Sequence, residues 1–194
     1  MSLQIFDSLV SLHKVGFCHW DLKLDNICFF KDQYYLIDFA FAQRIDPHGP
    51  KEITMLKGNS MFASIRKLLL WRKATPVDDF ESLFYLIAFC LDSFYLPWLP
   101  DYLNENSDTA DFIVMRTRKA ETANKYLYAD LNQSFIKGLR YIHRITKKEK
   151  KFLNQDEEVD TNFIRECLVE MQTSFSATKQ NDFVYKEPDC SDCD

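Results

Sequence analysis

A mainly helical fold with one short β-hairpin is what the sequence predicts, and three observations predict it. Residues 2–14 bring Ile5, Leu9 and Leu12 round at helical spacing. Residues 80–91 are apolar nearly all round, as a buried central helix must be. Between them, the apolar runs 27–30 and 34–37 flank Lys31, Asp32 and Gln33, a polar loop of hairpin length.

In chain order, the first helix carries Phe6 and Val10 beside its apolar stripe, and Lys14 complements the dipole at its C-terminal turn. Gly16 supplies a left-handed terminator, after which Phe17 and Cys18 lead out. Past the hairpin, residues 41–62 hold Pro47, Gly49, Pro50 and Gly58 with no sustained period and read as irregular. A short apolar run at 68–71 precedes Thr75, Pro76, Val77 and Asp78, a helix start with proline at its first position. Further helices are expected at about 111–127, 131–145 and 159–173 on the same periodicity. From Lys186 onward, Glu187, Asp189, Asp192 and Asp194 outweigh a single lysine, the composition of a disordered tail. The folded domain is therefore placed at 1–185 and the acidic tail at 186–194.

A chain of 194 residues, 46% hydrophobic and 27% charged, is ordinary for one soluble domain with a single core. Its net charge of -5 argues against a protein built to neutralise phosphate backbones, so no nucleic-acid partner is expected. No apolar run approaches the roughly 20 residues that span a bilayer. The first residues lack a basic, then apolar, leader. The expectation is an intracellular protein, cytoplasmic or nuclear, without membrane contact. Cys18, Cys28, Cys90 and Cys167 lie among apolar residues, where free cysteine behaves as a small hydrophobe. Cys190 and Cys193 form a lone C-x-x-C that leaves half a zinc site and a redox pair both open. Lys147, Lys148, Lys150 and Lys151 are interrupted by Glu149 and followed by Asp156, Glu157 and Glu158, which reads as a solvated surface.

The chemistry is concentrated in His19, Trp20, Asp21, Leu22, Lys23, Leu24, Asp25 and Asn26, followed by Asp38, Phe39 and Ala40. Asp21 is a carboxylate able to accept a proton, with the bland alternative of a loop carboxylate that caps a helix or strand end. Lys23, two residues on, lies on the same side of an extended loop. Asn26 and Asp38 stand at the two ends of the hairpin, where neither run alone would converge two hard oxygen ligands on a divalent cation.

These two stretches resemble the protein kinase catalytic loop, H-R-D-L-K-x-x-N, and its metal-binding D-F-G. Gly58 to Ile65, with Asp78, Asp79, Phe80, Glu81, Ser82 and Leu83, is similar to the G-T-x-x-Y-A-S-I and D-D-L-E-S-L-G of the casein kinase 1 family. Leu96, Pro97 and Trp98 resemble its L-P-W, and Leu139 and Arg140 part of its G-L-R. The similarity runs from about Leu3 to about Tyr185. It implies Asp21 as general base and Lys23 on the transferred phosphoryl group, with a serine or threonine acceptor. It implies Asn26 and Asp38 as ligands of magnesium and, through it, of ATP. It makes 41–62 an activation segment and Asp79 a buried carboxylate holding the loop backbone.

The departures are local. Trp20 replaces an arginine that, in many kinases, pairs with a phosphorylated activation segment. Ala40 replaces a glycine, at a cost of about 1–2 kcal/mol if its backbone is left-handed. Met61 stands where casein kinase 1 enzymes carry an arginine for primed substrates. Arg66, Lys67, Arg72 and Lys73 read as a solvated face, with attraction of an acidic substrate as the alternative, and neither His13 nor His19 reads as a metal ligand. A complete kinase also needs a glycine-rich loop, a strand lysine and a helix glutamate. The four glycines, at 16, 49, 58 and 138, form no such loop, and 18 residues precede His19.

The expectation is a protein-kinase-like C-terminal lobe with the N-terminal lobe absent. It would be non-catalytic alone, a pseudokinase-type module whose protein partner covers the surface left by that lobe. The alternative is an active serine/threonine kinase completed by a lobe from another chain or an upstream segment. A metal-binding adaptor using the tail cysteines is a third reading.

Overall fold

The computed structural model describes residues 1–45, 58–68, 74–91, 96–103, 132–149 and 159–182. Helices predominate among them: α1 (Ser2–Lys14), α2 (Ile65–Leu68), α3 (Pro76–Leu91), α4 (Leu99–Tyr102), α5 (Gln133–Glu149) and α6 (Thr161–Asp182). Two small antiparallel sheets accompany them. One pairs β1 (Phe17–Cys18) with β4 (Gln43–Arg44), the other β2 (Ile27–Phe30) with β3 (Gln33–Leu36).

The centre of the core is α3, buried continuously from Val77 to Ala88. Against it pack α1 and α5, and α6 bridges those two. Phe80 meets Phe6 of α1 with ring centroids 5.3 Å apart, and Phe84 meets Phe135 of α5 at 5.1 Å. Burying side chains of this size contributes about 1.5–3 kcal/mol each. A Cβ at Gly138 would lie 2.7 Å from Phe84 Cζ, so only glycine lets α5 approach this closely.

The first helix directs Ile5, Phe6 and Leu9 inward, as its periodicity requires, and Gly16 follows with φ of 88°. Its tight exit is closed by the Gly16 N–H on the His13 carbonyl at 2.9 Å. The hairpin is tighter than expected. Its turn is Lys31–Asp32 alone, both left-handed (φ 47° and 61°), the type I′ geometry that matches strand twist. Gln33 belongs to β3, and the Tyr34 N–H reaches Gln4 Oε1 at 3.0 Å to dock the hairpin on α1.

The β1–β4 pair falls partly in the stretch expected to be irregular, and residues 46–57 lie outside the described set. At the start of α3 the Asp78 carboxylate accepts both the Thr75 N–H (2.9 Å) and hydroxyl (3.0 Å), so Thr75 and Pro76 begin the helix as read. Of the four cysteines expected in apolar surroundings, Cys18 and Cys167 are buried, Cys90 is half-buried and Cys28 is exposed. It lies on β2, where Cys28, Phe29 and Phe30 are all exposed. The expected helix at 111–127, the tail at 186–194 and the Cys190/Cys193 pair lie outside the described residues. No described helix is long and apolar enough to cross a membrane.

Candidate active site: the 19–26 loop and its anchors

The loop that carries the candidate chemistry is hung on one buried carboxylate. Asp79, in the first turn of α3, accepts the His19 N–H at 2.7 Å through Oδ2 and the Trp20 N–H at 2.9 Å through Oδ1. His13 Nε2, from the last turn of α1, lies 2.8 Å from the same Oδ2. A buried carboxylate survives only when so bonded, and this one joins α1, α3 and the loop. Cys18 completes a cluster with His13 and Asp79 whose polar atoms lie within 4.8 Å of one another. Burial first, and the charges of Asp79 and Asp78 after it, push the Cys18 thiol up and keep it protonated. The cluster is thus a hydrogen-bonded anchor rather than a thiolate ligand set.

Asp21 is buried, and both of its oxygens are used. Oδ1 accepts the Asn59 N–H at 2.5 Å, while Oδ2 faces Asn26 Nδ2 at 3.2 Å and Lys23 Nζ at 3.6 Å. Asn26 Nδ2 also donates to the Asp21 carbonyl at 2.8 Å, which closes the loop on itself. Gly58, with φ of 80°, passes so close that a Cβ there would collide with the Asp21 carboxylate. Asp21, Lys23 and Asn26 are therefore together.

Asp38 reaches the group through the hairpin register. Ile27 pairs with Leu36, and the Ile37 N–H bonds to the Asn26 carbonyl at 3.0 Å, so Asp38 begins one residue beyond Asn26's neighbour. It is exposed, in a left-handed conformation (φ 61°), with Oδ1 accepting the Ala40 N–H at 3.2 Å. The left-handed residue here is Asp38, and Ala40 is not among the positive-φ residues. The strain expected at Ala40 is thus absent. His19 reaches across to this element through its ring, with Nε2 3.2 Å from the Ile37 carbonyl and its centroid 5.2 Å from that of Phe39. Asn26 spends Nδ2 on Asp21, so its Oδ1 makes none of those bonds. That oxygen and a solvent-facing carboxylate on adjoining hairpin ends fit the hard, partly hydrated coordination of magnesium.

Arg66 and Lys67 correct the sequence reading, because both are buried rather than on a solvated face. Arg66 Nε sits 3.7 Å from Asp78 Oδ1. Lys67 Nζ donates to the Trp20 carbonyl, and its ammonium lies 5.4 Å from the Trp20 ring centroid. Burial lowers the Lys67 pKa from 10.5 to about 8, with Asp21, Asp79 and Asp78 acting against the shift. Arg72 and Lys73 lie outside the described residues.

The segment that bears Asn59 and Lys67 is itself pinned to α3. Ser64 Oγ donates to Asp78 Oδ1 at 2.6 Å, and the Ile65 N–H to Glu81 Oε1 at 2.9 Å. Burial acts to raise the Glu81 pKa, but His143, Tyr85 and Ile65 together hold it below its usual value. Met61 is buried, and its carbonyl accepts Trp98 Nε1 at 2.7 Å, which gives the 96–98 stretch its structural role. Sequence reasoning gave Asn59 and Glu81 no role beyond their place in the resemblance, and it put Lys67 on the surface.

No protein-family model matches the chain. It is similar to a protein of Dictyostelium discoideum named a probable serine/threonine-protein kinase, 25% identical over 196 residues. That alignment covers 94% of this chain and 35% of that protein. A probable serine/threonine-protein kinase of fowlpox virus is 33% identical over 112 residues, 50% of this chain and 34% of that protein. The chain thus spans about a third of the length of these curated relatives. What the two relatives support is a kinase-like protein.

Proposed function

We propose that this chain is a casein kinase 1-like C-terminal lobe that holds the acceptor-and-metal half of a serine/threonine kinase site and, alone, serves as an interaction module. The observation that carries this is the buried Asp21, braced by Asn26, Lys23 and the Asn59 N–H on a loop hung from Asp79. Such a carboxylate is suited to accept the proton of an attacking serine or threonine hydroxyl, and Lys23 to meet negative charge on the group being transferred. Asn26 and Asp38 would hold magnesium, which neutralises phosphate oxygens when bound.

These 194 residues contain no Gly-x-Gly-x-x-Gly, so the nucleotide clamp is not supplied by this sequence. Losing one preorganised charge-stabilising group costs about 2.7–4 kcal/mol of barrier, and several are involved. The partner surface is that around the hairpin and the residues after it, where Phe29, Phe30, Tyr35, Ile37 and Phe39 are exposed. Purified chain with magnesium ATP and a protein substrate should transfer no phosphate. Transfer that is abolished by Asp21→Asn would refute the non-catalytic reading.

The retention of Asp21, Lys23, Asn26 and Asp38 together favours a second reading, an active kinase completed by a nucleotide-binding lobe from elsewhere. Intact mass of the native protein and its co-purifying chains decides between the two. A larger chain or a bound lobe, with activity lost in Asp21→Asn, selects the second.

A further inference from the structure

We infer that Lys67 is the positioning residue of the 19–26 loop, supplying from α2 the positive charge that the loop lacks at position 20; this rests on reading the loop as a kinase-type site. The Trp20 peptide is gripped from both sides. Its N–H goes to Asp79 Oδ1, and its carbonyl accepts Lys67 Nζ. Trp20 has φ of 66°, a left-handed conformation uncommon for a bulky residue and kept only where its surroundings over-determine it. Asp21 follows directly, so the orientation of its carboxylate is inherited from this peptide.

The charged groups around Lys67 leave its ammonium free for that task. Asp78 is met by Arg66 at 3.7 Å and by the Ser64 hydroxyl, Asp79 by His13 and two loop N–H groups, and Asp21 by Lys23 and Asn59. Lys67 itself makes no ion pair among the described residues; it spends its charge on a backbone carbonyl and on the Trp20 ring. Trp20 and Lys67 thus act as a pair: the side chain that displaced a loop arginine provides the aromatic face on which a cation from α2 rests. Because α2 is tied to α3 through Ser64 and Ile65, the cation is delivered by the fold and needs no phosphate on another segment. The site would be arranged while Lys67 is protonated and would loosen when it is not. Lysine is suited to this because burial moves its proton affinity, whereas arginine stays charged.

The test uses the 194-residue chain and its Lys67→Arg and Lys67→Met variants, labelled with nitrogen-15. The amide signals of Trp20 and Asp21 are followed from about pH 7 to 9, the range in which a buried lysine titrates. In the unmodified chain both signals should move together with a midpoint near 8. In Lys67→Arg that transition should vanish, with the signals held at their low-pH positions. In Lys67→Met they should lie at their high-pH positions throughout. If Lys67→Met does not fold, the comparison with Lys67→Arg carries the test. Identical pH curves for the unmodified chain and Lys67→Arg would overturn the proposal. Failure of the kinase reading is separate: Asp38→Asn would leave any magnesium-nucleotide binding unchanged, without altering the titration.

Discussion

At residue scale, Lys67 and Cys18 act on the pH dependence of stability with opposite signs. Lys67 has its pKa lowered from 10.5 to about 8 on folding. Between those values the unfolded chain holds a proton that the folded chain has released, so stability rises with pH, by at most about 1.4 kcal/mol per unit. Cys18 has its pKa raised from 9.0, and Cys90 and Cys167 are raised from the same value. Above that pH the folded chain keeps protons that the unfolded chain loses, and stability falls. Urea unfolding should therefore show stability climbing between pH 8 and 9 and flattening or turning down beyond. Lys67→Arg should remove the climb and keep the fall. A climb that survives in Lys67→Arg would assign it to another group.

At the scale of elements, the turn of the hairpin is strained for the residues it carries. Lys31 and Asp32 both occupy the left-handed region, which aspartate tolerates but which costs a residue such as lysine about 1–2 kcal/mol. The double change Lys31→Asn with Asp32→Gly should raise the unfolding temperature and add about 1 kcal/mol of stability, read by thermal and urea unfolding. No gain would mean that contacts with α1, such as Tyr34 to Gln4, already set the hairpin's geometry.

The elements also show why some of the fold was readable and some was not. In α1 and α3, apolar side chains at helical spacing report burial directly, and both appear where the pattern put them. Gln33 hid its place in β3 because its side chain faces solvent, and two-residue strands such as β1 and β4 are too short to show alternation. Within the candidate site, motif spacing singled out Asp21, Lys23, Asn26 and Asp38, of which the structure brings Asp21, Lys23 and Asn26 into contact. Lys67 was illegible because a lysine beside an arginine reads as surface. Both are buried beside a cluster of carboxylates, Asp78, Asp79 and Asp21, brought from two distant parts of the chain.

At the scale of the whole molecule, several of the exposed apolar side chains among the described residues lie on or just after the hairpin. Phe29 and Phe30 are 56% and 58% exposed and Phe39 is 50% exposed, an unusual cost for aromatic residues left in water. Sedimentation velocity at rising concentration should show the isolated chain associating. Phe30→Asp should suppress that association without lowering the unfolding temperature, since the ring supports no core contact. A chain that stays monomeric with or without the change would argue that this face is not an interface.

The Asp79 anchor has a consequence for how the protein is made. Asp79 lies 60 residues after His19, whose N–H it accepts. At a synthesis rate of about 5–20 residues per second, the loop is polymerised roughly 3–12 seconds before its partner. During that interval the peptides of His19 and Trp20 have only water to bond, and Asp21 has no fixed direction. The chain translates its candidate chemistry early and can set it in place only after α3 has emerged, so a pause or truncation between the two would release the motif without the geometry that gives it meaning.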